Sequence, residues 1–292
     1  MSEPTGARRY AHTPLIMARS TFLLARIIRW LLASLPLITA ATAQPPRWRF
    51  ETMRPPQLAE ALRTRPIAWL VLSPLEWHGE AISFNADPLV GRAILEGAWN
   101  KVGGVLLPTL YIGSETEYKE WDADKGLISR WGMELISREH NPGSLYVRPI
   151  TLELVLVDYL KALQREGFKF CVVTSGHGGA EHIDIMEEVC RRDYGDMKVL
   201  MARGWSEKLP ADLQFKQVEG ASHANIVEAS LVGGVDPALV DRNAFGILER
   251  DRKTGLKSEN AGEIDFEKGR GIIGFRTASL AKEVEQLLAD IR

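Results

Sequence analysis

Four short apolar runs, at 67–72, 105–110, 168–174 and 197–202, limit what this chain can fold into. Each is long enough for one buried strand, and between them lie stretches that read as helices, at 88–100, 151–166 and 181–192. Strands separated by helices join through crossovers and pair in parallel. The expected fold class is therefore α/β, a single domain built on a mainly parallel sheet. A short amphipathic helix at 57–62 precedes the first strand, after the pairs Pro45-Pro46 and Pro55-Pro56, and Gly167 stands where a helix ending at Glu166 needs a left-handed cap. The chain shows no internal repeat, low-complexity segment or domain boundary.

Ligands of such sheets bind beyond the carboxyl ends of the strands, so the residues there carry the functional information. After the first run come Glu76-Trp77-His78-Gly79, with Asp87 nine residues past the histidine. Residues two apart in an extended segment point the same way. Glu76 and His78 can face one cavity, with Asp87 closing the loop over it. The third run leads into Gly176-His177-Gly178-Gly179, where flanking glycines permit a tight turn and leave the imidazole uncrowded. A third piece, Ser222-His223-Ala224-Asn225 with Glu228 and Ser230, reads as a helix start. Each piece alone has a plain alternative: a solvated loop, a tight strand–helix turn, a polar helix N-terminus. Together they are harder to dismiss. Of six histidines, one (His12) lies near the N-terminus, and three of the other five fall in these turns.

The first 43 residues have a different character. Arg8, Arg9, Arg19, Arg26 and Arg29 precede or interrupt an apolar stretch at 30–38, and Ala41-Thr42-Ala43 precedes Gln44. A basic region, a short apolar region and a small-x-small site match a secretory signal peptide. Met17 offers an alternative start that gives a signal of ordinary length. The apolar stretch falls short of the about 20 residues a membrane span needs, and it contains Pro36. An uncleaved anchor and an organelle transit peptide are the rival readings. The expected organisation is a signal at 1–43 and one domain at 44–292, exported to a periplasm or secreted, with no stable membrane span in the mature form.

Removing that segment, with its five arginines and one acid, leaves 31 of the 36 basic and 37 of the 38 acidic residues, a net charge of −6. Nothing in that balance suits a polyanion, so nucleic acid is not an expected partner. Cys171 in a strand-like run and Cys190 in a helix-like one read as two buried thiols. The stretch 114–141 is charged and long for a connection, with Trp121 and Trp131 in or near its acidic part. It reads either as a solvated excursion with its own short helix or as a lid or oligomer contact that buries the tryptophans.

In order and spacing the three pieces resemble the creatininase family of amidohydrolases. That family carries Glu-x-His-Gly with an Asp nine residues after the His, then a Gly-His-Gly-Gly-type turn, then His-Ala-x-x-x-Glu-x-Ser. Here these are Glu76 to Gly79 with Asp87, Gly176 to Gly179, and His223 to Ser230. Pro108-Thr109 with Gly113-Ser114, Pro142-Gly143-Ser144, and Gly271 to Gly274 with Ala278-Ser279 are smaller echoes, and the likeness spans about 67–280.

The resemblance implies a three-layer α/β/α sandwich and a site for two divalent metal ions, zinc or manganese. Asp87 would bridge both ions. Glu76 and His177 would complete one position and His78 the other, with Glu228 at an open position there, and His223 would serve as proton donor or substrate contact. Mixed His/carboxylate ligation suits either metal. The implied activity is hydrolysis of a C–N bond in a small cyclic or linear amide by a metal-bound hydroxide, in a homo-oligomer, often a hexamer. Metal lowers the pKa of water to about 7 and polarises the carbonyl, and a histidine near neutrality can protonate the leaving nitrogen. The alternative is a protein of the same fold that binds metal or a small ligand without turnover. Three departures stand where substrate would be read. Glu80-Ala81 replace the family's frequent Pro-His, Ala180 replaces a frequent Asn, and the charged 114–141 stretch is longer than the family's usual connection; Glu181-His182, after Ala180, are further candidate ligands. They weaken any inference that creatinine is the substrate.

Overall fold

The computed structural model describes residues 44–131, 143–203, 208–215, 223–244 and 261–290. The expected signal at 1–43, and the part of the 114–141 stretch beyond residue 131, lie outside the described residues. In chain order the elements are β1 (Arg47–Arg49), α1 (Pro55–Thr64), β2 (Ile67–Val71), α2 (Ala86–Val102), β3 (Gly104–Leu106), β4 (Glu117–Asp122), β5 (Gly126–Trp131), α3 (Pro149–Glu166), β6 (Phe170–Thr174), α4 (Ala180–Cys190), β7 (Lys198–Ala202), α5 (Ile226–Val235) and α6 (Phe266–Asp290). Five strands form the central sheet in the order β1-β3-β2-β6-β7, with every neighbour parallel.

The sheet is covered on both faces, and the strand residues divide by parity. Ile67, Trp69 and Val71 of β2 pack with Leu106, Phe170 and Val172 against α2, α5 and α6. Ala68, Leu70 and Leu72 pack with Val105, Cys171 and Val173 against α1, α3 and α4. Two-residue periodicity with both faces apolar makes a strand an unbroken hydrophobic run, as a covered parallel strand requires. Each fully buried leucine or valine contributes about 1.5–3 kcal/mol, so this double-sided core fixes the sheet. The result is the expected α/β/α sandwich. Gly167 ends α3 in the left-handed conformation, φ 101°, and both cysteines are free and buried. Among the described residues, no helix is long and apolar enough to cross a membrane.

Three expectations need correction. The 105–110 strand is shorter, ending at Leu106, because Pro108 has no N–H to continue the ladder. The chain still follows β2, with Leu107 and Leu110 N–H donating to the carbonyls of Trp69 and Val71. The 114–141 stretch contains no short helix in its described part. It forms an antiparallel hairpin, β4 with β5, whose turn is held by Asp122 Oδ1 accepting from the N–H groups of Asp124 and Lys125. Trp121 on it is 78% exposed in the single chain. Asp87 lies not in a loop but in the first turn of α2.

α6, not expected as a helix, packs closely on α5. A methyl group at Gly269 would collide with the Ser230 carbonyl, so the two backbones touch only because that residue is glycine. Ser230 Oγ accepts from the Asp265 N–H, and Asp265 in turn caps α6 by accepting from Lys268 N.

Candidate metal centre

The topology brings the three sequence pieces together. β2 and β6 are adjacent, and their C-terminal loops leave to opposite faces: the connection after β2 leads to α2 on one side, that after β6 to α4 on the other. In the crevice between them lie Glu76 and His78, 2% and 0% exposed, with His177 buried opposite. Glu76 N–H donates to Phe84 O and Trp77 N–H to Ser144 Oγ, which fixes the loop, and Gly79 at φ 73° turns it. Asp87 is pressed against the β6 turn. A Cβ on Gly176 would lie 2.7 Å from the Asp87 carbonyl carbon and 2.9 Å from its Cα, so only glycine permits the approach.

His223 and Glu228 enter from the start of α5. Asn225 caps this helix, its side chain accepting from the N–H groups of Val227 and Glu228. Ala224 holds φ 54°, the one positive φ outside glycine among the described residues. Such strain persists only where surroundings impose it, and it gathers at functional sites. Here the Ala224 N–H is bonded to the Glu228 carboxylate, which turns the loop back over the helix start.

Two three-residue clusters result, Glu76/Asp87/His177 and His78/Asp87/Glu228, each with its candidate ligand atoms within 4.8 Å of one another. Asp87 belongs to both and gives one oxygen to each: Oδ2 is 3.3 Å from His177 Nδ1, and Oδ1 is 3.4 Å from His78 Nε2. His78 Nε2 is 3.8 Å from Glu228 Oε1, and His177 Nδ1 is 3.0 Å from Glu76 Oε2. A third cluster joins Glu76, His78 and His223, with His223 Nδ1 3.9 Å from Glu76 Oε2.

Hydrogen bonds orient these rings. His78 Nδ1–H donates to the Glu76 carbonyl at 3.0 Å, which turns Nε2 inward. His223 Nε2–H donates to the Trp77 carbonyl at 2.6 Å, which leaves Nδ1 toward Glu76. Tyr146 O–H donates to Glu76 Oε1 at 2.5 Å, so Oε2 remains for His177.

The electrostatics are those of a site built for added positive charge. Burial disfavours ionised His78, but Asp87, Glu228 and Glu76 outweigh it and hold the imidazole up at about 10. Burial likewise opposes His177, and Glu76, Asp87 and Glu115 raise it well above the usual range. Burial would raise Asp87, yet the two imidazoles hold it well below. Glu228 is raised, by burial first, with His78 and His223 offsetting part of it. Protons on two histidines thus offset part of the charge of the clustered carboxylates. Even so, His78 Nε2 and Asp87 Oδ2 are buried without a hydrogen-bond partner. Orphaned inward-facing donor atoms on a His/carboxylate set fit divalent metal ions.

Two residues of this neighbourhood escaped the sequence reading. Tyr146 was signalled only by the adjoining Pro142-Gly143-Ser144, and Glu115 by Gly113-Ser114; neither belongs to a ligand motif. His182, a candidate extra ligand, has both nitrogens engaged: Nδ1 accepts from Ser114 N–H at 3.3 Å and Nε2–H donates to Ser175 Oγ at 3.0 Å. Burial holds its pKa well below the usual value, in keeping with a neutral ring. Glu181 lies in the first turn of α4 and in neither cluster. Of the departures after Gly79, Glu80 is exposed and Ala81 is buried in the apolar core.

The family model for creatininase, creatinine amidohydrolase, matches residues 51–292. A creatinine amidohydrolase of Pseudomonas putida is 26% identical over 187 residues, which cover 60% of this chain and 66%, just under two thirds, of that protein. A crystal structure of creatinine amidohydrolase superposes with a TM-score of 0.61 at 19% identity, covering 82% of this chain and 96% of the other. A structure described as Creatininase Mn gives 0.61 at 18%, with coverages of 82% and 97%. A creatininase variant complexed with creatine gives 0.61 at 19%, with the same coverages. At these identities the structural likeness is one of fold.

Proposed function

The chain belongs to the creatininase family of amidohydrolases, and on that premise we propose that it is a metal-dependent hydrolase of a small cyclic or linear amide. The observation that carries this reading is Asp87, a single buried carboxylate with one oxygen directed into each of two ligand clusters. Glu76 and His177 with Asp87 would hold one divalent ion; His78 and Glu228 with Asp87 would hold the other. Zinc and manganese both suit these donors, and solved creatininases described as a Mn form and a Zn–Zn type support the pair.

A bound divalent ion supplies Lewis acidity and brings the pKa of water to about 7. The chain's own residues do the rest. His223 is tied at Nε2 to the Trp77 carbonyl, so Nδ1 is the atom that takes up and delivers a proton. That nitrogen faces the clusters from the α5 side, where a leaving amine can be protonated. His78 and His177 would each offer one nitrogen to an ion, with the opposite nitrogen engaged at Glu76 O and Ser114 O. Glu228, half-buried where the other ligands are buried, borders the open side of the crevice.

The substrate class rests on the family, and creatinine is the substrate only in the names of relatives. The chain is further proposed to be exported, with 1–43 removed, and to assemble as a homo-oligomer. The exposed apolar side chains Trp121, Tyr111, Leu145 and Leu154 are consistent with a covered surface.

The test is metal content together with hydrolysis. Protein reconstituted with zinc or manganese should hold two ions per chain and cleave at least one member of a panel of lactams, N-formyl and N-carbamoyl compounds. Asp87→Ala should lose both ions. Two tightly held ions in that variant would refute the bridging role; two ions in the wild type with no turnover across the panel would favour a non-catalytic binding protein.

A further inference from the structure

We propose that Glu115 is a positioning residue of the metal centre, which holds the outer nitrogen of His177 so that its inner nitrogen is directed at the ion; this rests on the two-metal reading above. His177 Nδ1 faces Glu76 and Asp87, at 3.0 and 3.3 Å. On the far edge of the ring, Nε2–H donates to the Ser114 carbonyl at 3.2 Å, and Glu115 Oε2 lies 3.3 Å away. The Glu115 side chain is only 14% exposed, and its other oxygen accepts from Thr116 N–H at 2.8 Å, so the carboxylate is fixed before any ligand arrives. A backbone carbonyl and a carboxylate at the outer nitrogen of a metal-ligating histidine orient the ring, select its tautomer and raise its basicity.

The surroundings of the contact fit that role. A methyl group on Gly179 would strike both Glu115 Oε2 and His177 Nε2, so the second glycine after the histidine keeps the contact open. The segment carrying Glu115 is also clamped to the glycine turn through other atoms. Ser114 N–H donates to His182 Nδ1, His182 Nε2–H donates to Ser175 Oγ, and the same Oγ accepts from His177 N–H. The His177 ring is thereby fixed from its backbone, its outer edge and the carboxylate beyond. Glu115 reaches the site from the loop before β4, so no motif around His177 reveals it.

The prediction is asymmetric, because only one cluster contains His177. In Glu115→Ala, one of the two ions should bind about 10- to 100-fold more weakly, while the other keeps its wild-type affinity. Glu115→Gln keeps the shape and one acceptor oxygen and should fall between. Affinities are read by chelator competition with zinc and by the absorption spectrum of the cobalt-loaded protein. The Nε2 proton of His177 in the zinc-loaded protein, observed by nitrogen-edited NMR, should move upfield in the glutamine variant as the negative charge beside it is lost. Wild-type protein that binds two ions, with both affinities and the proton signal unchanged in Glu115→Ala, overturns the positioning role alone. Equal weakening of both ions marks general loosening and overturns it too. Wild-type protein that takes up no ion overturns the two-metal reading, and the positioning role with it.

Discussion

Two glycines of one turn should respond in opposite ways to the same added methyl group. Gly176 is wedged against the first turn of α2. Its Cβ would lie 2.7 Å from the Asp87 carbonyl carbon and nearer still to the carbonyl oxygen, where ordinary contact begins at 3.4 Å, so the backbones must part by more than about 0.7 Å. The helix cannot yield freely, because Gly91 one turn later meets the same turn: a Cβ there would be 2.9 Å from Gly176 N. Metal–ligand lengths tolerate only about 0.2 Å, so a displacement several times larger at the carboxylate shared by both clusters should lose both ions. Overpacking of this kind costs about 1–3 kcal/mol. At about 2–4 °C per kcal/mol for a domain of this size, Gly176→Ala should lower Tm by roughly 2–12 °C in the metal-free protein. Gly178 is exposed, has nothing within 4 Å of its Cβ position and lies outside the left-handed region. Gly178→Ala should keep two ions and leave Tm unchanged or slightly raised, since the unfolded chain loses freedom worth about 0.4–1 kcal/mol. The assay is elemental analysis after dialysis, alongside thermal unfolding. A Gly176→Ala protein with two ions and wild-type Tm, or a Gly178→Ala protein damaged to the same degree, would refute the reasoning.

Proton competition gives a second expectation. His78 is held at about 10 by its carboxylate neighbours against the opposing effect of burial, so near neutral pH an ion must displace its proton. Metal affinity should rise with pH, and calorimetry in two buffers should detect proton release; an affinity flat from about pH 6 to 9 would contradict this. The same shift gives the metal-free protein a contribution to stability that is fully present below the unfolded value of 6.5 and is lost as pH climbs through about 10. Metal-loaded protein should not show that loss, which denaturant titrations at several pH values will reveal. Tyr146→Phe removes the hydroxyl donor to the buried Glu76 Oε1. It should cost about 1.5–3 kcal/mol in chemical denaturation, and a change below about 0.5 kcal/mol would mean that the carboxylate does not depend on that bond. Finally, N-terminal sequencing of exported protein should begin at Gln44, and a full-length cytoplasmic product would overturn the signal reading.

The fold was most legible where both strand faces are buried. Trp69 and Leu70 on adjacent positions pack in opposite layers, and a run with no polar face can be read as a covered parallel strand from composition alone. The hairpin β4–β5 was not legible for the converse reason. Trp121 and Leu127 are exposed, and charged residues crowd around them, so no alternation marks a buried face. Tyr146 and Glu115 were missed because each reaches the site across a long sequence separation, 70 residues to Glu76 and, counting from 115 to 177, 62 to His177. No periodicity encodes such a contact.

What the motifs alone did not contain is the reason they converge. Glu76 and His78 follow β2, His177 follows β6, and these strands are 103 residues apart in sequence (from 71 to 174) but adjacent in the sheet, Ile67 lying opposite Phe170 and Val71 opposite Thr174. The order β1-β3-β2-β6-β7 reverses direction at that pair, since β3 lies on one side of β2 and β6 on the other. At such a switch point the two connections must leave toward opposite faces, and a crevice opens between them. Asp87, at the head of the helix on one face, is pressed onto the Gly176 turn from the other, and so closes the floor of that crevice. The candidate site therefore follows from strand order, and the motif residues are those the order delivers to its edge. The third piece needs no strand at all: α5 packs on the same face as α2, which carries His223 and Glu228 to the crevice on Asp87's side.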